Sequence, residues 1–136
     1  MTEDALKRIE GGLAIILPAE YRNFMLARGA GLREFNKACG RRLAEALDLT
    51  ANDVLITNCT ERKPGSGTAD AYPKWWQTFV LIGTDGGGGY YCLHLDGTPG
   101  VWTIGSDDDG EAEKLHGSLS DFVEDQVKRC QEPPNV

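Results

Sequence analysis

The sequence has only two histidines, His94 and His116, and four cysteines, at positions 39, 59, 92 and 130, with no CxxC pair among them. That spacing provides neither a zinc ribbon nor the dense disulfide framework of small secreted domains. Reduced, buried thiols in a cytoplasmic protein are expected, with no metal site and no cofactor. No apolar run approaches the ~20 residues that span a bilayer. The acidic opening Met1-Thr2-Glu3-Asp4 also lacks the basic-then-apolar layout of a secretory signal, so neither membrane insertion nor classical export is expected. Positive charge is short as well: 14 Lys and Arg face 21 Asp and Glu, a net charge of −7. The deficit is uneven. Residues 1–68 hold ten basic and nine acidic side chains, residues 69–136 four and twelve. An acidic field repels nucleic acid, whose binding depends on neutralising phosphates. It draws in basic proteins and speeds their docking, and it also keeps a protein soluble.

What remains is an ordinary globular composition, 40% apolar and 26% charged over 136 residues, enough for one domain with a core of its own. A helix is expected from Thr2 to Glu10, capped by Thr2 and stopped by Gly11-Gly12, then a short apolar link from Leu13 to Leu17. Pro18 opens a second helix with Leu17, Tyr21, Phe24 and Met25 on one stripe, ended by Gly29 or Gly31. A third helix is expected over about Leu32–Leu47. Its outer side, Arg33, Lys37, Arg41 and Arg42, is either a solvated face or a nucleic-acid ridge, and four charges on one helix favour the first.

The pattern then turns extended. Val54-Leu55-Ile56-Thr57 is a β-branched run, and Glu61 to Pro73 reads as a loop. Strands are expected at about Trp75–Ile82, Gly89–Leu95 and Val101–Ile104, with a turn over Asp96–Gly100. Ser118-Leu119-Ser120-Asp121 caps a final helix with Leu119, Phe122, Val123, Val127 and Cys130 inward, and residues 131–136 should fray. The order predicts a single α+β domain over 1–136, its mostly antiparallel sheet packed against N-terminal helices and one C-terminal helix.

Several motifs invite chemistry. Cys92, His94 and Asp96 share one strand face, the inventory of a small hydrolase. Residues two apart on a strand stand side by side, about 6–7 Å between Cα atoms, and do not converge on a substrate. A solvated polar face is the expectation, and no catalytic residue is assigned. Gly83-Thr84-Asp85-Gly86-Gly87-Gly88-Gly89 lacks the Lys-Ser/Thr of a phosphate loop and the following helix of a dinucleotide site. A turn between strands, with Asp85 accepting backbone N–H groups, is expected. Asp107–Glu111 fails as a calcium loop, because Gly105 and His116 fall where carboxylates are required. Of Trp75 and Trp76, adjacent on an expected strand, one should be exposed and available as an anchor for a protein partner.

Three of these segments, in this order, resemble the SUKH superfamily of Smi/Knr-type domains over about residues 5–127. Leu17-Pro18-Ala19-Glu20-Tyr21-Arg22-Asn23-Phe24-Met25 is similar to its LPxxYxxFL segment. Ile82 to Leu93, containing Gly83, Asp85, Gly86, Gly87, Gly88 and Tyr90, is similar to its glycine-rich hallmark. Val101-Trp102 and the helix containing Phe122 resemble its closing elements. The resemblance implies an α+β domain without cofactor that works by binding proteins. Bacterial members include immunity proteins that neutralise a cognate polymorphic toxin, often a nuclease, and fungal members regulate cell-wall synthesis. The expected function is therefore non-enzymatic toxin neutralisation, with a general regulatory interaction module as the alternative. Expected contacts with a basic toxin domain are Asp85, Asp96, Asp107, Asp108, Asp109, Glu111 and Glu113, with Trp75 or Trp76 as anchor.

Overall fold

The computed structural model describes residues 1–105 and 111–131. Helix α1 (Glu3–Leu13) starts as expected, with the Thr2 hydroxyl accepting the Ala5 N–H at 3.1 Å. It runs through Gly11-Gly12 and ends one turn later at Ala14, in the left-handed conformation (φ 55°). Gly12 lies against the Leu55 side chain, where a Cβ would crowd it, and the extra turn buries Leu13. That burial offsets the ~1 kcal/mol by which glycine disfavours a helix.

Helix α2 (Ala19–Ala38) likewise passes through both glycines expected to end it. Gly29 is where the chain start docks: the Met1 ammonium donates to the Met25 carbonyl at 2.8 Å, and a Cβ at 29 would collide with the Met1 nitrogen. Close approach, not termination, is the reason for this glycine. The expected third helix is divided. Leu32–Ala38 is the end of α2, the chain reverses at Gly40 and Arg41 (φ 73° and 66°), and Leu43–Glu45 forms a single 3-10 turn. The Asn36 carboxamide closes the reversal by accepting the Ala44 N–H at 2.9 Å.

The β-branched run over 54–57 is helical, inside α3 (Ala51–Arg62), capped by Thr50 accepting the Asp53 N–H at 3.2 Å. A short helix, α4 (Gly67–Ala71), lies within the expected loop, and Trp75–Gln77 is a 3-10 turn where a strand was expected. Four antiparallel strands follow in the order β1 (Phe79–Thr84), β2 (Gly89–His94), β3 (Val101–Gly105) and β4 (Glu113–His116). The last was not expected from sequence. Helix α5 (Leu119–Gln131) begins at Ser118, whose hydroxyl accepts the Asp121 N–H at 3.1 Å.

Alternation along the strands gives the sheet two apolar faces. Val80, Ile82, Tyr91, Leu93 and Val101 join the main core with side chains from α1, α2, α3 and α5. Phe79, Leu81, Cys92 and Ile104 join Trp75 in a smaller aromatic cluster on the other face, with Ala69 and Tyr72 packed against it. The outer edge of β1 is closed rather than open. Asp48 N–H donates to the Ile82 carbonyl at 2.8 Å and Thr84 N–H to Ala46 at 3.2 Å. Gly83 permits this approach, since a Cβ there would run into the Ala46 carbonyl. The α+β architecture is the one expected: helices, an antiparallel sheet, and a closing helix.

Candidate functional site

The expected contact residues that the structure describes do not form one patch. Strand β2 separates the turn bearing Asp85 from the turn bearing Asp96, and six strand residues span about 20 Å. The antiparallel order places Glu111 and Glu113, both exposed, at the Asp85 end, and Trp76 and His94 at the Asp96 end. Asp107, Asp108 and Asp109 lie outside the described residues.

Asp85 is committed to its own turn. Its Oδ1 accepts the N–H of Gly87 at 2.7 Å and of Gly89 at 3.0 Å, while its N–H donates to the Gly89 carbonyl at 3.1 Å. Gly86 and Gly88 have positive φ (80° and 94°), which a side chain would strain. The glycine run is thus a closed hairpin turn built around a carboxylate, as its composition suggested. Asp96 is similarly engaged, accepting the Thr98 N–H at 2.8 Å with His94 Nδ1 at 2.9 Å. The Thr98 backbone and hydroxyl, with His94 adding, hold its carboxyl below the usual range.

Cys92, His94 and Asp96 do not assemble a nucleophile. Cys92 is fully buried in the aromatic cluster, its Sγ set 3.4 Å from the Trp102 carbonyl oxygen, and burial pushes its thiol far up. A thiolate is the reactive form, so this cysteine is inert. The face expected to be solvated is packed at Cys92. The half-buried His94 ring lies against Phe79 and Trp102, at 5.1 and 5.7 Å between centroids.

Trp75 and Trp76 sit in a 3-10 turn and meet edge to face at 5.9 Å, so the opposite-faces argument for a strand does not apply. Trp75 is fully buried, with Nε1 donating to the Glu61 carbonyl at 3.1 Å. Trp76 is half-buried and lines a cleft of about 570 Å³ with Leu13, Ala14, Ile15, Ile16, Arg62, Gln77 and Leu95. Ile16 is 83% exposed, the most exposed large apolar side chain described. Arg62 donates from Nη1 to the Leu13 carbonyl at 3.1 Å, and its buried Nε has no partner. Burial lowers its pKa, a partial desolvation of the cation. Ile16 and Arg62 were not singled out from sequence. The one signal available was an apolar link, Leu13–Leu17, longer than a tight turn needs.

The basic ridge is also dispersed. Lys37 pairs with Glu34 at 3.5 Å in solvent, Arg41 belongs to the chain reversal, and Arg42 donates to the Cys130 and Arg129 carbonyls at 2.9 and 3.1 Å, capping α5. These side chains do not lie on one helix because α2 stops at Ala38. Among the described residues, no three His, Cys, Asp or Glu side chains gather as a metal site, and no helix is long and apolar enough to cross a membrane.

The motif residues build the fold. Leu17 and Tyr21 are buried, and Pro18 precedes the first turn of α2. Glu20 accepts the Gly100 N–H at 3.3 Å and the Leu119 N–H at 3.2 Å, tying α2 to β3 and α5. Arg22 pairs with Glu3 and Glu10, clamping α1 to α2. Phe24 carries Arg28 over its ring at 5.6 Å, Trp102 carries Lys114 at 5.1 Å, and Phe122 packs against Tyr91 at 4.7 Å. Tyr90 is half-buried beside the aromatic cluster. No curated protein matches the chain significantly. The sequence model of the SMI1 / KNR4 family (SUKH-1) matches residues 1–125, and the chain belongs to that family.

Proposed function

We propose that this chain is an immunity protein: a cytoplasmic, non-enzymatic binder that neutralises a cognate toxin by covering its active site or substrate groove. The observation that carries the reading is family membership over residues 1–125, which speaks for a protein partner. Two features support it. The hydrolase trio is sequestered at Cys92, and a cleft with an exposed isoleucine and a half-buried tryptophan offers the apolar centre that protein interfaces use. The acidic second half favours a basic partner such as a nuclease domain, steered by its charge.

Occlusion needs no catalytic residue, only shape and complementary charge held on rigid elements. The test is co-expression with the neighbouring open reading frame, followed by affinity capture at low and high salt and a toxicity assay. The expected result is a stoichiometric complex that protects cells. Capture of housekeeping proteins with no protection would replace this reading with a regulatory interaction module. Reversing charge in a Glu111→Lys/Glu113→Lys variant should slow association by about tenfold at low salt and much less at high salt, read by stopped-flow or surface plasmon resonance.

A further inference from the structure

The cleft between the α1–α2 link and the start of the sheet has a chemistry opposite to the chain's acidic balance. Its walls are aliphatic and aromatic: Ile15, Ile16, Trp76 and Leu95. Its one charged lining residue is a cation, Arg62. Among the described residues no carboxylate lies within ion-pair distance of that guanidinium. Its Nε is buried and its Nη1 donates to the Leu13 carbonyl at 3.1 Å, so the N–H groups it can turn to a ligand are the remaining ones of the Nη1–Nη2 end. A guanidinium presents a planar fork suited to two parallel bonds with a carboxylate, and apolar surroundings strengthen such a pair. A scattered exposed isoleucine means little, but one set on the rim of a concave apolar site with an under-satisfied cation beside it is a recognition feature.

We propose that this cleft is a docking site for a partner segment bearing an aliphatic or aromatic side chain next to a carboxylate. The apolar group enters between Ile16 and Trp76 and the carboxylate meets Arg62. The inference deepens the protein-binding reading and rests on it. Charge decides the occupant: a basic side chain would oppose Arg62, and a neutral one would leave its fork unmet. The volume, about 570 Å³, suits one or two large side chains rather than a whole helix.

The site can be probed without a partner. The isotope-labelled full chain is titrated with 4-methylpentanoate, its amide, and the corresponding amine, followed by amide and indole NMR shifts. The carboxylate should perturb Ala14, Ile15, Ile16, Leu95 and the Trp76 indole, and bind about tenfold tighter than the amide, the ratio for one charge-assisted pair. Arg62→Gln should erase that preference. Ile16→Ser, at an exposed position that leaves the fold intact, should weaken carboxylate and amide alike. Equal binding of acid and amide, preference for the amine, shifts elsewhere on the molecule, or self-association that fills the cleft with a second copy would overturn the proposal. Capture of a toxin at undiminished affinity by both variants would also overturn it while leaving the immunity reading intact. Carboxylate selectivity at the cleft with no toxin captured would support the docking chemistry and sink the immunity reading instead.

Discussion

Asp48 is a half-buried carboxylate beside the edge of β1. Burial pushes its carboxyl up to about 6, against a partial correction from the Thr57 hydroxyl, and Asp53 raises it further. Its Oδ2 has no partner, and neither has the hydroxyl of the fully buried Tyr21, whose own ionisation is suppressed by burial and by Asp48. The folded-state value lies above the ordinary 3.8, so the native chain binds more protons than the unfolded chain between about pH 4 and 6. The contribution of Asp48 to stability therefore falls as pH rises through that window, by on the order of 2–3 kcal/mol for a shift of this size. Asp48→Asn should remove the slope and stabilise the protein at pH 7.5 by about 1–2 kcal/mol, measured by urea unfolding at pH 5 and 7.5. A wild type and an Asp48→Asn variant with the same difference in stability between the two pH values would refute the assignment. Tyr21 was legible from its i, i+4 spacing with Leu17, because burial repeats with the helix. Asp48 was not, because nothing in the sequence says that the segment after a broken helix runs beside a strand edge.

The same contrast governs the elements. Helices α1, α2 and α5 and strands β2 and β3 announce themselves through caps and periodic apolar positions. Helix α3 was hidden behind Val54-Leu55-Ile56-Thr57, whose β-branched side chains suit a strand locally. Tertiary demand wins there, because the helix presents Val54 to the core and Asn58 to the β1 edge. Asn58 is fully buried: its Nδ2 donates to the Leu81 and Val54 carbonyls, both at 2.8 Å, and its Oδ1 accepts the Leu81 N–H at 2.9 Å. A side chain thus replaces the strand that would otherwise pair with β1. Asn58→Ala strands a buried N–H and a buried carbonyl together, so a loss of about 3–4 kcal/mol is expected by denaturant unfolding. Asn58→Asp retains the acceptor but places an unpaired charge in the core, so it should be no better. A loss under 1 kcal/mol in the alanine variant would show that water takes over the edge. Strand β4 lacks a sequence signal for the opposite reason. Glu113-Lys114-Leu115-His116 is exposed along most of its length, so no apolar alternation marks it, and pairing with β3 alone makes it a strand.

At the scale of the molecule, the acidic second half is an excess of charge in sequence, yet its described carboxylates Asp85 and Asp96 stand at opposite ends of β2. The acidic positions were legible as residues, whereas their separation to opposite ends of β2 depends on strand order. That order also explains why one carboxylate of the near-neutral half matters more than most of the acidic ones. Glu20 lies 80 positions from Gly100 and 99 from Leu119, yet its two oxygens accept the backbone N–H of each. It therefore joins the first helical layer to the entry of β3 and the first turn of α5, closing contacts that the chain reaches only at its end. Bonds from backbone N–H to a carboxylate are stronger than neutral ones, and here two long ones, at 3.2 and 3.3 Å, act together. Glu20→Ala should cost about 2–3 kcal/mol, whereas Glu34→Ala, on an exposed pair of α2, should cost less than about 0.5 kcal/mol. Hydrogen exchange locates the effect. Amides of 119–123 should lose protection in the Glu20 variant while those of α1 keep theirs. Equal loss throughout would mean that the whole domain, rather than the docking of α5, depends on this carboxylate.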